Sequence, residues 1–470
     1  MKKRIFAVAA AAVTLASGFL FGACSGGGSS KTQPDIAITE NASVHDPSVF
    51  YDEASGTYYA FGSHFAVASS ADLVNWHQES TDGASGQRLL YGTTDWRSIL
   101  SQSAALAGGT QNTWAPDVES YNGKYYMYYS LTSGFGNTDS VIGRVESDNV
   151  LGPYSNEVII VSGVGAISTS KPNCIDPELF YDTDGGLWMV YGSAFGGIYM
   201  LELYNEGENW GLPKPDQGFG SLVWRNTTNG ALTSRIVEGP FVFYNPDTEY
   251  YYLFTSHGAL ASDYNIRVAR SKSPNGPYEG ITGRDVAASP NEAYKLSGNY
   301  IVGDTQGIAA IGHGSVVEKD GEYFSVSHSR RADGNGGVNL AHTMWTAKIL
   351  FNEDGWPVMS PCRYTGEEAR AFEASEVAGT YDCLFFYNAT TAAFDTSVEY
   401  VFNGNGTVTQ NGNEVGSFTV SGENYITVTI NNVAYKGVLT DCWNTYTDDG
   451  GAICISAVSE MATTIWAIGR

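Results

Sequence analysis

The chain has 470 residues, of which 50 are Asp or Glu and 25 Lys or Arg, for a formal charge of -25 with only 16% charged residues in all. A chain this acidic offers no stripe of Lys and Arg to neutralise phosphates, which argues against nucleic acid and other polyanions and favours a neutral partner. Its 55 Gly and 30 Tyr suit an all-β fold rich in tight turns, and its length allows one large domain with a smaller one beside it.

Residues 1–24 open with Lys2, Lys3 and Arg4 and continue through an apolar stretch to small residues, the pattern of an export signal rather than of a membrane span. The closing "FGAC" resembles the lipobox of bacterial lipoproteins, with Phe21 where Leu is usual, so Cys24 is expected to be lipidated. Cleavage near Ala23 with an incidental Cys24 is the alternative. Residues 25–40 are Gly- and Ser-rich at their start and read as a flexible tether. The expected location is a bacterial cell surface or the periplasmic side, with the membrane touched only through the anchor, or otherwise secretion.

From residue 41 to 366 one phrase recurs five times. The copies are "HDPSVFYDEASGTYYAFGS" from His45, "WAPDVESYNGKYYMYYS" from Trp114, "CIDPELFYDTDGGLWMVYGS" from Cys174, "VEGPFVFYNPDTEYYYLFTS" from Val237 and "GHGSVVEKDGEYFSVSHS" from Gly312. Each joins two apolar runs through an Asp-, Asn- or Gly-rich turn, the mark of a β-hairpin, and weaker strand material follows. Units of about four strands recurring every 60 to 75 residues must pack on their neighbours. A five-bladed β-propeller is therefore predicted over 41–366. A solenoid would need polar capping repeats, and the first and fifth copies are full members.

If the first strand of each hairpin lines the axis, the residue before it stands at the channel rim. Aligning the copies places Asp46, Ala115, Asp176, Gly239 and His313 at equivalent points, with Glu238 one residue before Gly239. A strand-initial Asp-Pro is also an ordinary turn, and that accounts for any one acid. It does not account for Glu238, which leaves the pattern yet supplies a carboxylate at the same rim. Convergent acids raise one another's pKa, and two carboxyls of unequal pKa across a gap are what glycoside hydrolysis requires.

"HDPSV", "WAPDV", "IDPELF", "RIVEGPFVFY", "NIRVARS" and "NEDGWPV", in this order between about Val44 and Tyr364, resemble glycoside hydrolase family 43, most closely its extracellular endo-α-1,5-L-arabinanases. The resemblance implies an inverting hydrolase of α-1,5-linked arabinan. Asp46 would be its general base, Glu238 its general acid, and Asp176 the residue that orients the acid and raises its pKa. Inversion leaves room for a water, with base and acid roughly 6.5 to 9.5 Å apart. Trp114, Phe135 and Phe195 are candidates to stack on a furanose ring, and Asn173 and Ser193 to bond its hydroxyls. Each aromatic is equally plausible as blade packing. The resemblance also implies that His313 helps hold a metal, Ca2+, in the central channel, although calcium prefers oxygen ligands and the motif here reads "HGS" where "HNS" is expected. No organic cofactor is expected, and the chain is expected to be a monomer. His45 is read as positioning the base, and Arg267 either as touching substrate or acid or as an interblade ion pair. The Gly-rich "GVGAIS" and "GFGNTD" complete no phosphate loop.

From residue 373 to 470 the pattern changes to alternating strands with turns at Asn405-Gly406 and Asn411-Gly412, which predicts a small antiparallel barrel or sandwich that buttresses the propeller or binds polysaccharide. The five cysteines after Cys24 match no zinc spacing. Cys442 and Cys454 are a candidate hairpin bridge, and Cys174 a buried thiol. Two rivals to the endo reading remain: an exo-acting α-L-arabinofuranosidase or β-xylosidase on the same site, and a non-catalytic glycan-binding lipoprotein.

Overall fold

A computed structural model describes residues 42–108, 113–134, 139–165, 171–225, 237–289, 291–389, 391–446 and 450–470, with Phe195 by its backbone alone. The expected signal segment, Cys24 and the tether up to residue 40 lie outside the described residues, as do Phe135 and the side chain of Phe195.

Five antiparallel sheets follow one another in chain order. Their innermost strands are Ser48–Asp52, Trp114–Tyr121, Glu178–Tyr181, Val237–Asn245 and Ile308–Lys319. Each pairs with the next strand in sequence, so every phrase is a hairpin. The turn chemistry is visible in the third blade. Asp182 accepts the backbone N–H groups of Asp184 and Gly186 at 2.9 and 2.7 Å and the Trp188 indole at 2.7 Å, which fixes the "DTDGG" turn.

Both faces of a blade are covered, so the second strands read as nearly continuous apolar runs, as in "LWMVY" from Leu187 to Tyr191. Five buried clusters fill the five spaces between blades. Phe61 and Val67 of blade one meet Val118 and Met127 of blade two, and the series continues to Phe324 and Val326 of blade five against Val44 and Ala60 of blade one. The last pairing closes the ring and excludes the solenoid. Each fully buried Phe, Leu or Val contributes about 1.5 to 3 kcal/mol relative to exposure, so the ring is held by its seams.

The connection between blades one and two carries three short helices, Ala84–Tyr91, Trp96–Ile99 and Ser101–Ala107, which the strand pattern did not predict. They are docked by a side chain just after the first hairpin: Phe65 packs against Tyr91 and Trp96 with ring centroids 5.8 and 5.7 Å apart.

After the fifth blade, eight strands from Gly379–Phe386 to Thr464–Gly469 form a closed barrel, the first pairing with the last. Closure removes free edges, which decides for a barrel over a sandwich. Asn411 and Gly412 have φ of 51° and 75°, as a two-residue type I′ hairpin turn requires. The barrel is fastened to the propeller. A short strand in the connection between the first two barrel strands, Asp395–Thr396, pairs parallel with Tyr300–Ile301 on the edge of the fifth sheet, and Arg267 of blade four donates to Asn388 Oδ1 at 2.5 Å and to its carbonyl at 3.0 Å. Arg267 therefore bonds the C-terminal module.

Candidate active site

The five positions aligned from sequence are the five places where the backbone turns left-handed at the axis. Asp46, Ala115, Asp176, Gly239 and His313 have φ of 53°, 36°, 57°, 53° and 40°. Four of the five are non-Gly residues in a region such residues seldom occupy, a strain kept only where the surroundings fix it.

What fixes it is the polar residue that closes the preceding phrase. The Ala115 N–H donates to Ser63 Oγ at 2.9 Å, the Asp176 N–H to Ser130 Oγ at 2.9 Å and the His313 N–H to Ser256 Oγ at 2.7 Å. Between blades five and one, His328 takes the serine's part, its Nδ1 accepting the Asp46 N–H at 3.3 Å. Blade three differs. The Gly239 N–H instead donates to Asp176 Oδ2 at 3.2 Å, and Ser193 Oγ is turned to Glu238 Oε2 at 3.0 Å.

Gly239 also explains why the fourth acid stands one residue early. A Cβ there would lie 2.9 to 3.1 Å from the His313 ring atoms, so no side chain fits at the blade-initial place and the carboxylate comes from Glu238. Gly314 is equally constrained: a Cβ would lie 2.1 Å from the Val326 carbonyl, which accounts for "HGS" where an Asn was expected.

Three carboxylates thus meet around one imidazole, each in a different environment. Asp46 is buried, yet the imidazoles of His313, His45 and His328 and the Ser63 hydroxyl, 2.6 Å from Oδ2, outweigh burial and hold it well below the usual carboxylate range. His313 Nδ1 and His45 Nε2 each lie 3.1 Å from its Oδ1. Glu238 is pushed up by burial, against the opposing pull of His313 and the bonds from Tyr264 and Ser193. Asp176 is pushed up to about 7 by burial and by the charges of Glu238 and Asp46, with His313 opposing. The three acids in turn raise His313 despite its burial.

Two residues further along the inner strands, and so on the same face, Ser48, Asp117 and Glu178 form a second tier. Asp117 accepts Ser48 Oγ at 2.7 Å and the Leu179 N–H at 2.9 Å. Burial pushes Asp117 up to about 6, and burial with the charges of neighbouring acids pushes Glu119, two residues beyond it, up to about 8 and Glu178 well above the carboxylate range. An axial cavity of about 20 Å3 separates the tiers, lined among others by Asp46, Asp176, Glu178 and His313. It has room for one water-sized occupant. The surrounding carboxylates fit a cation by charge, while His313 supplies a single nitrogen and few oxygens are free of other bonds.

The remaining predicted contacts lie as follows. Trp114 is half-buried and precedes Ala115 as Glu238 precedes Gly239, which puts it at the corresponding register place of the next-but-one blade. Asn173 is buried and accepts the Ser140 hydroxyl at 2.6 Å, a bond between neighbouring blades. Ser193 is buried and bonded to Glu238. Sequence reading missed Tyr264, whose hydroxyl donates to Glu238 Oε1 at 2.9 Å and whose ring stacks on His328 at 5.7 Å. It also missed the pins, whose signal is a polar residue at or next to the close of the phrase.

A closed five-bladed ring with converging acids at one rim defines a known class, and the chain belongs to it: the model of glycosyl hydrolases family 43 matches residues 39–357. A second model, a C-terminal lipocalin-like domain, matches residues 361–467. Among individual proteins, the chain is 35% identical over 464 residues to the extracellular endo-alpha-(1->5)-L-arabinanase of Thermotoga petrophila, covering 91% of this chain and 93% of the relative. The extracellular endo-alpha-(1->5)-L-arabinanase 2 of Bacillus subtilis is 35% identical over 468 residues with the same coverages. The crystal structure of the endo-1,5-alpha-L-arabinanase from Thermotoga petrophila matches with a TM-score of 0.83 at 34% identity, across 93% of this chain and 100% of that one.

Proposed function

We propose that the protein is an extracellular, inverting endo-α-1,5-L-arabinanase. The observation that carries the proposal is the unequal treatment of converging carboxyls: Asp46 is held ionised while Glu238 is pushed toward its protonated form. The near full-length match to two endo-arabinanases favours internal cleavage over the exo and non-catalytic readings.

In this reading Asp46 accepts a proton from water as that water attacks the anomeric carbon, and Glu238 donates its proton to the departing glycosidic oxygen. Ser193 and Tyr264, one on each carboxyl oxygen, aim Glu238. Asp176 keeps a carboxyl beside the acid, and His313 and His45 steady the charge on Asp46. Trp114 is proposed to stack on a furanose, and Phe135 and Phe195 remain candidates beside it. Incubation with linear arabinan tests the function: early release of mixed oligosaccharides, with the β-anomer appearing first by proton NMR, is the expected outcome. Release of arabinose alone from chain ends, or of the α-anomer first, contradicts it.

The proposed role of Asp176 gives a signed pH effect. Above about pH 7 its carboxyl is charged and repels a charge on Glu238, so the acid keeps its proton longer. Asp176→Asn removes the repulsion, and the alkaline limb of kcat/KM moves to lower pH. An unmoved limb in the pH profile removes the role.

Lipidation at Cys24 is retained as a proposal, testable by a mass shift of the exported N-terminus. Ca2+ is also retained. His313 with Asp46 and Asp176 would hold it, and it would supply positive charge against the clustered carboxylates. A rise in Tm when calcium is added after EGTA treatment, absent in His313→Ala, is the expected result.

A further inference from the structure

Cys362, Cys442 and Cys454 come together at the seam between propeller and barrel. Cys362 follows the last strand of blade five, Pro357–Met359, and the other two lie on neighbouring barrel strands, Val433–Trp443 and Gly451–Val458. All three are buried thiols. The Cys442 and Cys362 sulfurs are 3.1 Å apart, Cys362 and Cys454 3.9 Å, and all three lie within 4.8 Å of one another.

The strand register decides which pair can bond. Cys442 is opposite Ala452, and Cys454 is opposite Thr440, so the two barrel cysteines are diagonal neighbours. Diagonal Cα atoms in an antiparallel pair lie about 7 to 8 Å apart, beyond the usual reach of a disulfide. That disfavours the Cys442–Cys454 bridge expected from the hairpin. Cys362 approaches from the propeller side instead. The residue before it is held by Tyr446, whose hydroxyl donates to the Pro361 carbonyl and bonds the Tyr300 hydroxyl at 2.9 Å.

The same cluster could hold a soft metal, but three thiolates around a divalent ion leave net negative charge in an apolar seam, with the charge of Glu367 adding to it. A disulfide leaves none. We infer that Cys362 and Cys442 form a disulfide that clasps the propeller to the barrel, and that Cys454 remains a thiol beside it. The bond forms by exchange with an external disulfide, carried by a thiol oxidoreductase or by glutathione. The Cys362 thiolate attacks one sulfur and expels the other as a thiolate. The Cys442 thiolate then displaces the first from the mixed disulfide. Two thiols are oxidised, one external disulfide becomes two thiols, and the two protons pass to the departing sulfurs. Because the sulfurs are buried, the first exchange precedes the docking of barrel on propeller, and docking brings Cys442 to the mixed disulfide.

The pairing rests on the extracellular reading for its oxidising compartment, and two preparations separate the two ideas. The full chain is isolated after export, and also refolded from its reduced form with glutathione disulfide. Each is denatured in iodoacetamide without reductant, digested and weighed. A Cys362–Cys442 peptide pair about 2 Da lighter than its thiols, with Cys454 alkylated, is expected in both, together with a Tm several degrees lower after reduction. Cys454→Ala keeps the bridge and the shift. Alkylation of all three cysteines in the refolded chain, a Cys442–Cys454 link, or one equivalent of zinc per chain overturns the inference. A bridge in the refolded chain with three thiols in the exported one overturns the location and leaves the pairing standing.

Discussion

Asp46→Asn and Glu238→Gln each lower kcat on linear arabinan by about a thousandfold, within the range that proton transfer by a placed side chain supplies. The two losses differ in kind. On an aryl arabinofuranoside whose phenolate departs without a proton, Glu238→Gln regains most of its rate, because only leaving-group protonation was lost. Asp46→Asn stays slow on both substrates, since water still lacks an acceptor for its proton. Circular dichroism of each variant should match the parent, because both residues sit at the rim, outside the seams that hold the ring. Activity above about a tenth of the parent in either variant, on arabinan, removes the assigned roles.

The second large effect is a loss of stability as pH rises. A carboxyl whose folded pKa is raised favours the native state at low pH, and that contribution is lost as pH climbs from the unfolded value through the folded one. Glu119, pushed up to about 8, is still titrating out of its favourable state between about pH 6.5 and 8, and Glu178, also raised by burial, acts in the same direction. Glu119 alone costs at most about 1.4 kcal/mol per pH unit there. His313, whose folded pKa is also raised, acts in the same direction. The buried neutral imidazoles His257, His328 and His342 have depressed pKa values, so they act below about pH 6.5. Thermal unfolding followed from pH 6.5 to 8 should therefore show a falling Tm, and Glu178→Gln should flatten the slope. A level Tm in the parent contradicts the account.

Repetition made the ring legible. Five hairpins with the same turn chemistry could be aligned by eye, and the alignment named the five left-handed positions to the residue, because strand register carries from one blade to the next. The catalytic candidates were legible for the same reason. What lay beyond reach depends on contacts between distant segments. The helices after blade one are docked by Phe65, nothing in their own sequence marks their place, and the thiol cluster joins residue 362 to residues 442 and 454 through packing alone. Glu238 looked like an exception in sequence, and only the His313 ring over Gly239 supplies the reason.

The bond from the Asp46 N–H to His328 spans 282 positions of sequence and is the final stitch of the ring. Until the fifth blade arrives, a growing or unfinished chain has Asp46 without His313 and His328, and its carboxylate loses two of the charges that depress its proton affinity. Readiness for chemistry therefore comes late and all at once, and a copy truncated before residue 313 should be inert however well its first four blades are made.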